Sequence, residues 1–226
     1  MNIRLSLALA VCVTFISGCA TKAPQTQQSA ANTPTTEFEK AKDPEVQSNT
    51  HFAAGQLAES QAHLQEAAQQ YRAALKQNPK YTDAMFRLGI VYTQLESYPK
   101  AIEIWNQYVK ATNGSATAYS NLGFCEEVAG DPNAAEAAYR KGIAKDPLNE
   151  ACHVNFGLML ARHGRPNEGL LQLQTVLPPA KAHYDLAAVY ESLRRLEEAR
   201  REYGKALACD PRLDDAKSKL AALPNN

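Results

Sequence analysis

The sequence lacks the short motifs that mark most enzyme active sites. Its 226 residues contain no H-E-x-x-H metal motif, no C-x-x-C pair, no nucleophile elbow and no phosphate-binding loop. Serine, aspartate and histidine are present, but no motif brings them together. We therefore expect a protein that is not an enzyme, with no catalytic residue, no bound metal and no cofactor.

The sequence also has no excess of charge of either sign. Lysine and arginine together number 24, and aspartate and glutamate also number 24, so the formal net charge is zero. A general nucleic-acid binder needs a basic excess, so we expect no nucleic-acid partner. The 11 glycines and 12 prolines are too few for a collagen-like chain, whereas 45% hydrophobic residues are enough for a folded core.

Long apolar runs are also missing. The run Leu5–Ile16 follows Arg4, and it is shorter than the ~20 residues that a membrane-spanning helix needs. A cation followed by a short apolar run is the layout of a secretory signal peptide. We therefore assign residues 1–18 to a signal peptide.

The end of this run resembles the lipobox of bacterial lipoproteins. Ile16, Ser17, Gly18 and Cys19 give an aliphatic residue, two small residues and a cysteine. In that family the cysteine becomes the first mature residue and carries acyl chains such as palmitate, so the resemblance implies lipidation of Cys19 and attachment to a membrane. Ala20 follows instead of aspartate, which by the family's sorting rule in a Gram-negative host implies the outer membrane, facing the periplasm. The alternative is an ordinary signal peptide that happens to end in cysteine.

The composition changes after the cysteine. Between Pro24 and Thr36 the chain contains threonine, glutamine, serine, alanine, asparagine and proline but no large apolar residue. Such a composition cannot build a core. We therefore expect residues 19–47 to comprise the lipidated cysteine and a flexible tether.

From residue 48 onward the sequence repeats itself with a period of 34 residues. Leu88-Gly89, Leu122-Gly123 and Phe156-Gly157 are one set of equivalent pairs. The pattern resembles the tetratricopeptide repeat (TPR), in which small residues at positions 8 and 20 of the repeat let two helices approach closely. Large residues at positions 4, 7, 11 and 24 fill the space between helix pairs. No repeat can bury its apolar face alone, so the stack is the folding unit.

This resemblance implies an all-α fold, a right-handed TPR superhelix of five helix-turn-helix repeats and a C-terminal capping helix. We place the repeats at residues 48–81, 82–115, 116–149, 150–179 and 180–213, and the capping helix and tail at residues 213–226. Repeat 4 is four residues shorter than the others, so we expect its second helix to lose about one turn.

In TPR proteins the first helix of every repeat lines a concave groove. The resemblance implies a partner-binding groove formed by Phe52, Gln56, Phe86, Ile90, Phe124, Glu127, Val154, Leu158, Arg162 and Tyr184. Its middle is apolar, which suits a protein or peptide partner held by side-chain anchors. The carboxylate clamp of chaperone-binding TPR proteins needs Lys at position 5 and Asn at position 9, which Phe52 and Gln56 do not supply. The alternative is that some of these residues pack against a tail or the capping helix.

The histidine and cysteine positions favour packing over chemistry. His51, His153 and His183 all occupy position 4, a packing position, so we expect them in or near the core. Cys125 and Cys152 fall on neighbouring first helices, where a disulfide could join them. Small buried side chains are the favoured interpretation.

A lipobox followed by a short TPR array resembles the pilus-assembly lipoproteins of the Flp (Tad) and type IV pilus systems. This resemblance implies a non-enzymatic, lipid-anchored scaffold that assists the assembly of an envelope machine such as a pilus or a secretion system. Two alternatives remain open. The chain could be an adaptor for peptidoglycan synthases or hydrolases, or a component of exopolysaccharide export.

Overall fold

The computed structural model describes residues 47–224, which form eleven α-helices and no β-strand. In chain order the helices are α1 (Ser48–Ser60), α2 (Leu64–Gln77), α3 (Thr82–Gln94), α4 (Tyr98–Ala111), α5 (Ala116–Val128), α6 (Pro132–Lys145), α7 (Glu150–Arg162), α8 (Pro166–Val176), α9 (Pro179–Ser192), α10 (Leu196–Cys209) and α11 (Asp214–Ala222). This architecture confirms the expected all-α fold. The predicted signal peptide, Cys19 and the tether up to residue 46 lie outside the described residues. Within the described range, no helix is long and apolar enough to cross a membrane.

The helices form five hairpins and one final helix. Each odd-numbered helix from α1 to α9 packs along the helix that follows it, and α9 begins at Pro179, one residue before the interval 180–213 assigned to repeat 5. Helix α8 has 11 residues, whereas α2, α4, α6 and α10 each have 14. It is shorter because Pro178 and Pro179 follow it closely, and proline has no N–H group with which to extend a helix.

All five hairpin loops turn through a residue with positive φ. These residues are Ala62, Glu96, Gly130, Gly164 and Arg194, with φ between 54° and 92°. In each loop the next residue donates its N–H back to the first helix, as Asp131 does to the Glu126 carbonyl at 2.9 Å. This pattern is the Schellman C-cap, which ends a helix and reverses the chain. Repeats 3 and 4 use glycine at this position, whereas the other three repeats use residues that adopt positive φ at a cost.

Close packing inside each hairpin explains the small residues at position 8. A Cβ atom added to Gly89 would lie 2.6 Å from the Trp105 ring, and one added to Gly123 would lie 2.8 Å from the Tyr139 ring. The aromatic ring at position 24 therefore occupies the space that a side chain at position 8 would need. The stacked hairpins bury these rings almost completely, and α11 covers the end of the last hairpin with the buried Ala216.

Candidate partner-binding groove

The ten predicted groove residues all lie on the first helices of the repeats, and none is fully buried. Phe52, Phe86 and Tyr184 are half-buried because they pack on the aromatic residue at position 24, with ring centroids 5.5 to 5.8 Å apart. Ile90, Val154 and Leu158 are half-buried against the core, and Gln56 is exposed. These contacts show that part of each predicted anchor serves packing within the stack.

Phe124 differs from the other predicted anchors. It is 43% exposed, and it makes no ring contact within the described residues. It borders a pocket of about 280 Å³ at the joint between repeats 2 and 3. The pocket is lined by Ile90, Thr93, Gln94, Trp105, Asn121 and Phe124. This pocket offers an apolar side chain both a hydrophobic wall and polar groups at its rim.

Asn121, which borders this pocket, carries a hydrogen-bond donor that is not used. Its Nδ2 atom is buried and has no partner within the described residues. The equivalent residue of repeat 4, Asn155, instead donates through Nδ2 to Ser120 Oγ at 3.1 Å. Buried polar atoms nearly always have a partner, so this unpartnered amide makes Asn121 a candidate contact residue at the pocket.

Repeat 3 contains all the buried side-chain nitrogen and oxygen atoms without a partner in the described part of the chain. They are Asn121 Nδ2, Glu126 Oε2 and Tyr139 OH. Burial, followed by the charge of Asp131, raises the pKa of the Glu126 carboxyl. These unsatisfied groups set repeat 3 apart from its neighbours, because a buried polar atom without a partner destabilises the fold.

In repeats 1 and 5, the residues at positions 12 and 24 are linked by a hydrogen bond. The Tyr71 hydroxyl donates to Glu59 Oε2 at 2.6 Å, and the Tyr203 hydroxyl donates to Glu191 Oε2 at 2.7 Å. The bond crosses the hairpin from the second helix to the first. It therefore satisfies the hydroxyl of a ring that is otherwise fully buried.

The second oxygen of each of these glutamates accepts from a cation on the next first helix. Arg87 contacts Glu59 Oε1 at 3.4 Å, and Lys219 contacts Glu191 Oε1 at 3.2 Å. Arg87 is the sixth residue of α3, and Lys219 is the sixth residue of the final helix α11. In each of these glutamates one oxygen therefore bonds within its own hairpin and the other bonds to the helix that follows the hairpin.

Repeat 3 breaks this arrangement. Arg162, at position 13 of repeat 4, donates through Nε to Glu127 Oε1 at 2.8 Å and through Nη2 to Glu127 Oε2 at 3.0 Å. The guanidinium fork donates to both carboxylate oxygens, and the Tyr139 hydroxyl has no hydrogen-bond partner. Burial, together with the nearby Glu127 charge, raises the pKa of Tyr139 and keeps it a neutral donor.

The histidines at position 4 act as hairpin links. Nδ1 of His51, His153 and His183 lies 2.7 to 2.9 Å from the side-chain oxygen of the residue nineteen positions later, which is Gln70, Gln172 or Glu202. The repetition of this contact in three hairpins indicates a structural role. Within the described residues, no group of three or more His, Cys, Asp or Glu side chains could hold a metal ion.

Cys125 and Cys152 are buried free thiols, so no disulfide joins them. Cys152 Sγ contacts the Ala116 carbonyl oxygen at 3.3 Å, and Cys125 Sγ lies 3.8 Å from Thr93 Oγ1. Burial raises the pKa of Cys152 to about 11, which disfavours the reactive thiolate. Both side chains therefore act as small packing residues.

Sequence reasoning missed four residues of the pocket: Thr93, Gln94, Trp105 and Asn121. The signal for Asn121 is its place at position 6, where repeats 2, 4 and 5 also carry polar residues, namely Arg87, Asn155 and Asp185. The predicted groove uses positions 2, 5, 9, 12 and 13 of the first helices, and position 6 lies directly after position 5 on the same helix. A polar residue repeated there predicts a polar border to the groove.

Comparison with known proteins supports the repeat assignment. Residues 52–116 and 180–213 match tetratricopeptide repeat family models. The "General transcriptional corepressor ssn6" of Schizosaccharomyces pombe is 29% identical over 51% of this chain and 11% of its own length. The "Peroxisomal targeting signal receptor" of Pichia angusta is 32% identical over 68% of this chain and 28% of its own length. The chain thus spans less than a third of either relative.

A solved structure shows the same fold. The crystal structure of YrrB, described as a TPR protein with an unusual peptide-binding site, matches 82% of this chain and 96% of its own chain with a TM-score of 0.52 at 22% identity. The chain therefore contains tetratricopeptide repeats and has the fold of a TPR superhelix. TPR proteins are typically scaffolds that bind peptide or protein partners.

Proposed function

We propose that this chain is a lipid-anchored periplasmic scaffold that holds an extended segment of a partner protein in its groove. The observation that carries the proposal is the pocket between repeats 2 and 3. There the exposed Phe124 ring and the unpartnered Asn121 amide lie on the wall of the same cavity. An apolar side chain of the partner fills the pocket, and a backbone carbonyl of the partner accepts from Asn121.

The anchoring part of the proposal rests on the sequence. The lipobox ending at Cys19 supports acylation of that residue, and Ala20 supports retention at the outer membrane. More than one acyl chain is needed for stable anchoring, which the lipoprotein modification supplies. The segment between Cys19 and the start of α1 then connects the acyl chains to the repeats. Replacing Cys19 with alanine should release the protein from the membrane fraction and abolish incorporation of labelled palmitate.

The partner belongs to an envelope machine such as a pilus or a secretion system. This proposal follows the resemblance of a lipobox plus TPR array to pilus-assembly lipoproteins. Peptidoglycan synthases or hydrolases and the exopolysaccharide export machinery are the competing partners. The chain itself acts by binding, without a catalytic step and without nucleic acid.

Photo-crosslinking in living cells tests the proposal. A photoreactive phenylalanine analogue replaces Phe124, and in a second strain it replaces Leu171, which is 64% exposed on the second helix of repeat 4. Position 171 is a matched control because it is exposed and apolar but belongs to a second helix. We expect adducts with an envelope-assembly protein from position 124 but not from position 171.

Other crosslinking results would change the assignment. Adducts with cell-wall enzymes or export proteins from position 124 would support one of the competing partners. Equal adducts from positions 124 and 171, or adducts from 171 alone, would contradict the groove as the binding surface.

A further inference from the structure

We propose that the groove selects partner segments that carry an acidic side chain, and that it does so through an exchange of partners around Glu127. In the free protein Arg162 binds Glu127. In the complex Arg162 keeps one N–H donor on Glu127 and turns its other donors to the partner's Asp or Glu carboxylate, and the released Glu127 oxygen accepts from the Tyr139 hydroxyl. This proposal rests on the proposed function, because it specifies the chemistry of the segment that the groove holds.

The alternative bond of Glu127 is available in the repeat geometry. Tyr139 follows Glu127 by twelve residues, the same separation that joins Tyr71 to Glu59 and Tyr203 to Glu191. The Tyr139 hydroxyl has no partner of its own in the free protein. The two-pronged contact of Arg162 holds the Glu127 carboxylate by both oxygens in the free protein. Once one oxygen is released, repeat 3 can form the bond that repeats 1 and 5 already have.

Arg162 is the member of this cluster that a partner can reach. Its side chain is 36% exposed, whereas the Glu127 side chain is 7% exposed and the Tyr139 side chain is fully buried. A carboxylate arriving in the groove therefore meets the guanidinium first. Arginine presents several N–H donors in one plane, so it can donate to the new carboxylate while its contact with one Glu127 oxygen opens.

The exchange favours a charged partner over a neutral one. In the complex each Glu127 oxygen keeps one donor, one from Arg162 and one from Tyr139, and the Tyr139 hydroxyl gains the acceptor that it lacks in the free protein. The complex therefore contains one more satisfied buried group than the free protein. A glutamine in the same place offers Arg162 a weaker acceptor than Glu127, so the exchange does not occur.

The position of Arg162 also sets the separation between the apolar and the acidic residue of the partner segment. Glu127 and Arg162 lie at the joint of repeats 3 and 4, one joint beyond the pocket that contains Asn121 and Phe124. Adjacent packed helices are about 9 Å apart, and an extended chain advances about 3.3 Å per residue, so about three residues separate the apolar anchor from the acidic residue. The groove continues beyond Arg162 to Tyr184, which favours an acidic side chain within a segment over a chain terminus.

Blocked peptides provide the probe for this exchange. The full chain is titrated with N-acetylated, C-amidated dodecapeptides that contain one leucine and one glutamate, one to five residues apart in an alanine-serine background. Each peptide has a counterpart with glutamine in place of glutamate. We expect about tenfold tighter binding of the glutamate peptide, greatest near a separation of three residues.

Two matched variants separate the exchange from simple attraction to Arg162. Tyr139→Phe removes a hydroxyl that has no partner, so it should not lower the thermal stability of the free protein, yet it should reduce the glutamate preference several-fold. Tyr203→Phe removes a hydroxyl bonded to Glu191, so it should lower stability and leave the preference unchanged. Arg162→Gln should abolish the preference.

The outcomes distinguish this proposal from the proposed function. Peptide binding without a glutamate preference, or a preference that Tyr139→Phe does not reduce, would overturn the exchange and leave the groove function intact. Loss of free-protein stability in Tyr139→Phe equal to that in Tyr203→Phe would also overturn it. Binding of none of the peptides would count against both.

Discussion

In repeats 1 and 5 the buried hydroxyls of Tyr71 and Tyr203 each donate to a glutamate, whereas the Tyr139 hydroxyl of repeat 3 has no partner. The three hairpins are otherwise alike, with a small residue at position 8 facing the aromatic ring at position 24. The apolar frame is therefore shared, and the difference lies in the polar groups. The comparison shows that repeats 1 and 5 satisfy these hydroxyls internally, whereas repeat 3 leaves buried polar atoms without a partner.

We expect the strongest destabilisation from overpacking the contact between position 8 and the aromatic ring at position 24, which the repeats share. Gly123→Leu would place a side chain where the Tyr139 ring and the Ala135 carbonyl already lie, since even an added Cβ would come within 2.8 Å of the ring and 3.1 Å of the oxygen. We expect a loss of about 3 kcal/mol or more in the free energy of unfolding. Thermal and urea unfolding followed by circular dichroism would measure it.

The matched control for this substitution is Gly204→Leu. A Cβ atom at Gly204 meets nothing within 4 Å, and the residue lies within α10. Gly204→Leu should raise the free energy of unfolding by about 0.5–1 kcal/mol, because glycine destabilises the interior of a helix. An equal loss in the free energy of unfolding for both substitutions would show that close packing at position 8 does not stabilise the hairpin.

The next effect tests the unsatisfied carboxyl of repeat 3. Burial raises the pKa of Glu126 in the folded protein, so the folded state holds its proton to higher pH than the unfolded state does. The wild type therefore loses stability as pH rises from the ordinary glutamate pKa through the raised one. Glu126→Gln removes this loss, and we expect it to raise the free energy of unfolding by about 1 kcal/mol at neutral pH.

The pH dependence of that gain is its check. Near pH 4 the carboxyl is protonated in the folded state, and the advantage of glutamine should almost vanish. Glu191→Gln is the matched contrast in repeat 5. The Tyr203 hydrogen bond, and then Lys219, lowers the pKa of Glu191, so this substitution should destabilise at neutral pH. A Glu126→Gln gain that is constant from pH 4 to 7 would argue against burial of the charge.

The smallest effect concerns the hairpin loops. Arg194 in repeat 5 has φ of 59°, and Gly130 occupies the same place in repeat 3 with φ of 92°. Arg194→Gly should raise the free energy of unfolding by about 0.5–1 kcal/mol, because glycine adopts positive φ without a clash. Gly130→Ala should lower it by a similar amount. The opposite pair of signs, measured by chemical unfolding, would show that loop backbone strain does not matter here.

The repeat pattern alone predicts most of the fold. Helix pairs, the short second helix of repeat 4 and the packing of Gly123 on Tyr139 follow from residue size and spacing, which are one-dimensional properties. The Asn121 pocket and the Glu127 contacts depend on side-chain rotamers and on which of the nearby donors forms the hydrogen bond to a carboxylate. The glutamates of repeats 1 and 5 accept from a cation at position 6 of the following helix, whereas Glu127 accepts from Arg162 at position 13. Only the three-dimensional structure shows that Arg162 contacts both Glu127 oxygens.

We propose that the unpartnered Asn121 amide of repeat 3 serves partner binding. Asn121→Leu and Asn155→Leu, compared by thermal unfolding and by crosslinking from position 124, test this most directly. We predict that Asn121→Leu raises the free energy of unfolding by about 1 kcal/mol and abolishes the adducts, since it removes an unpartnered amide that only a partner can satisfy. Asn155→Leu should lower stability because it breaks the bond to Ser120. A destabilised Asn121→Leu protein that still forms the adducts would contradict the claim.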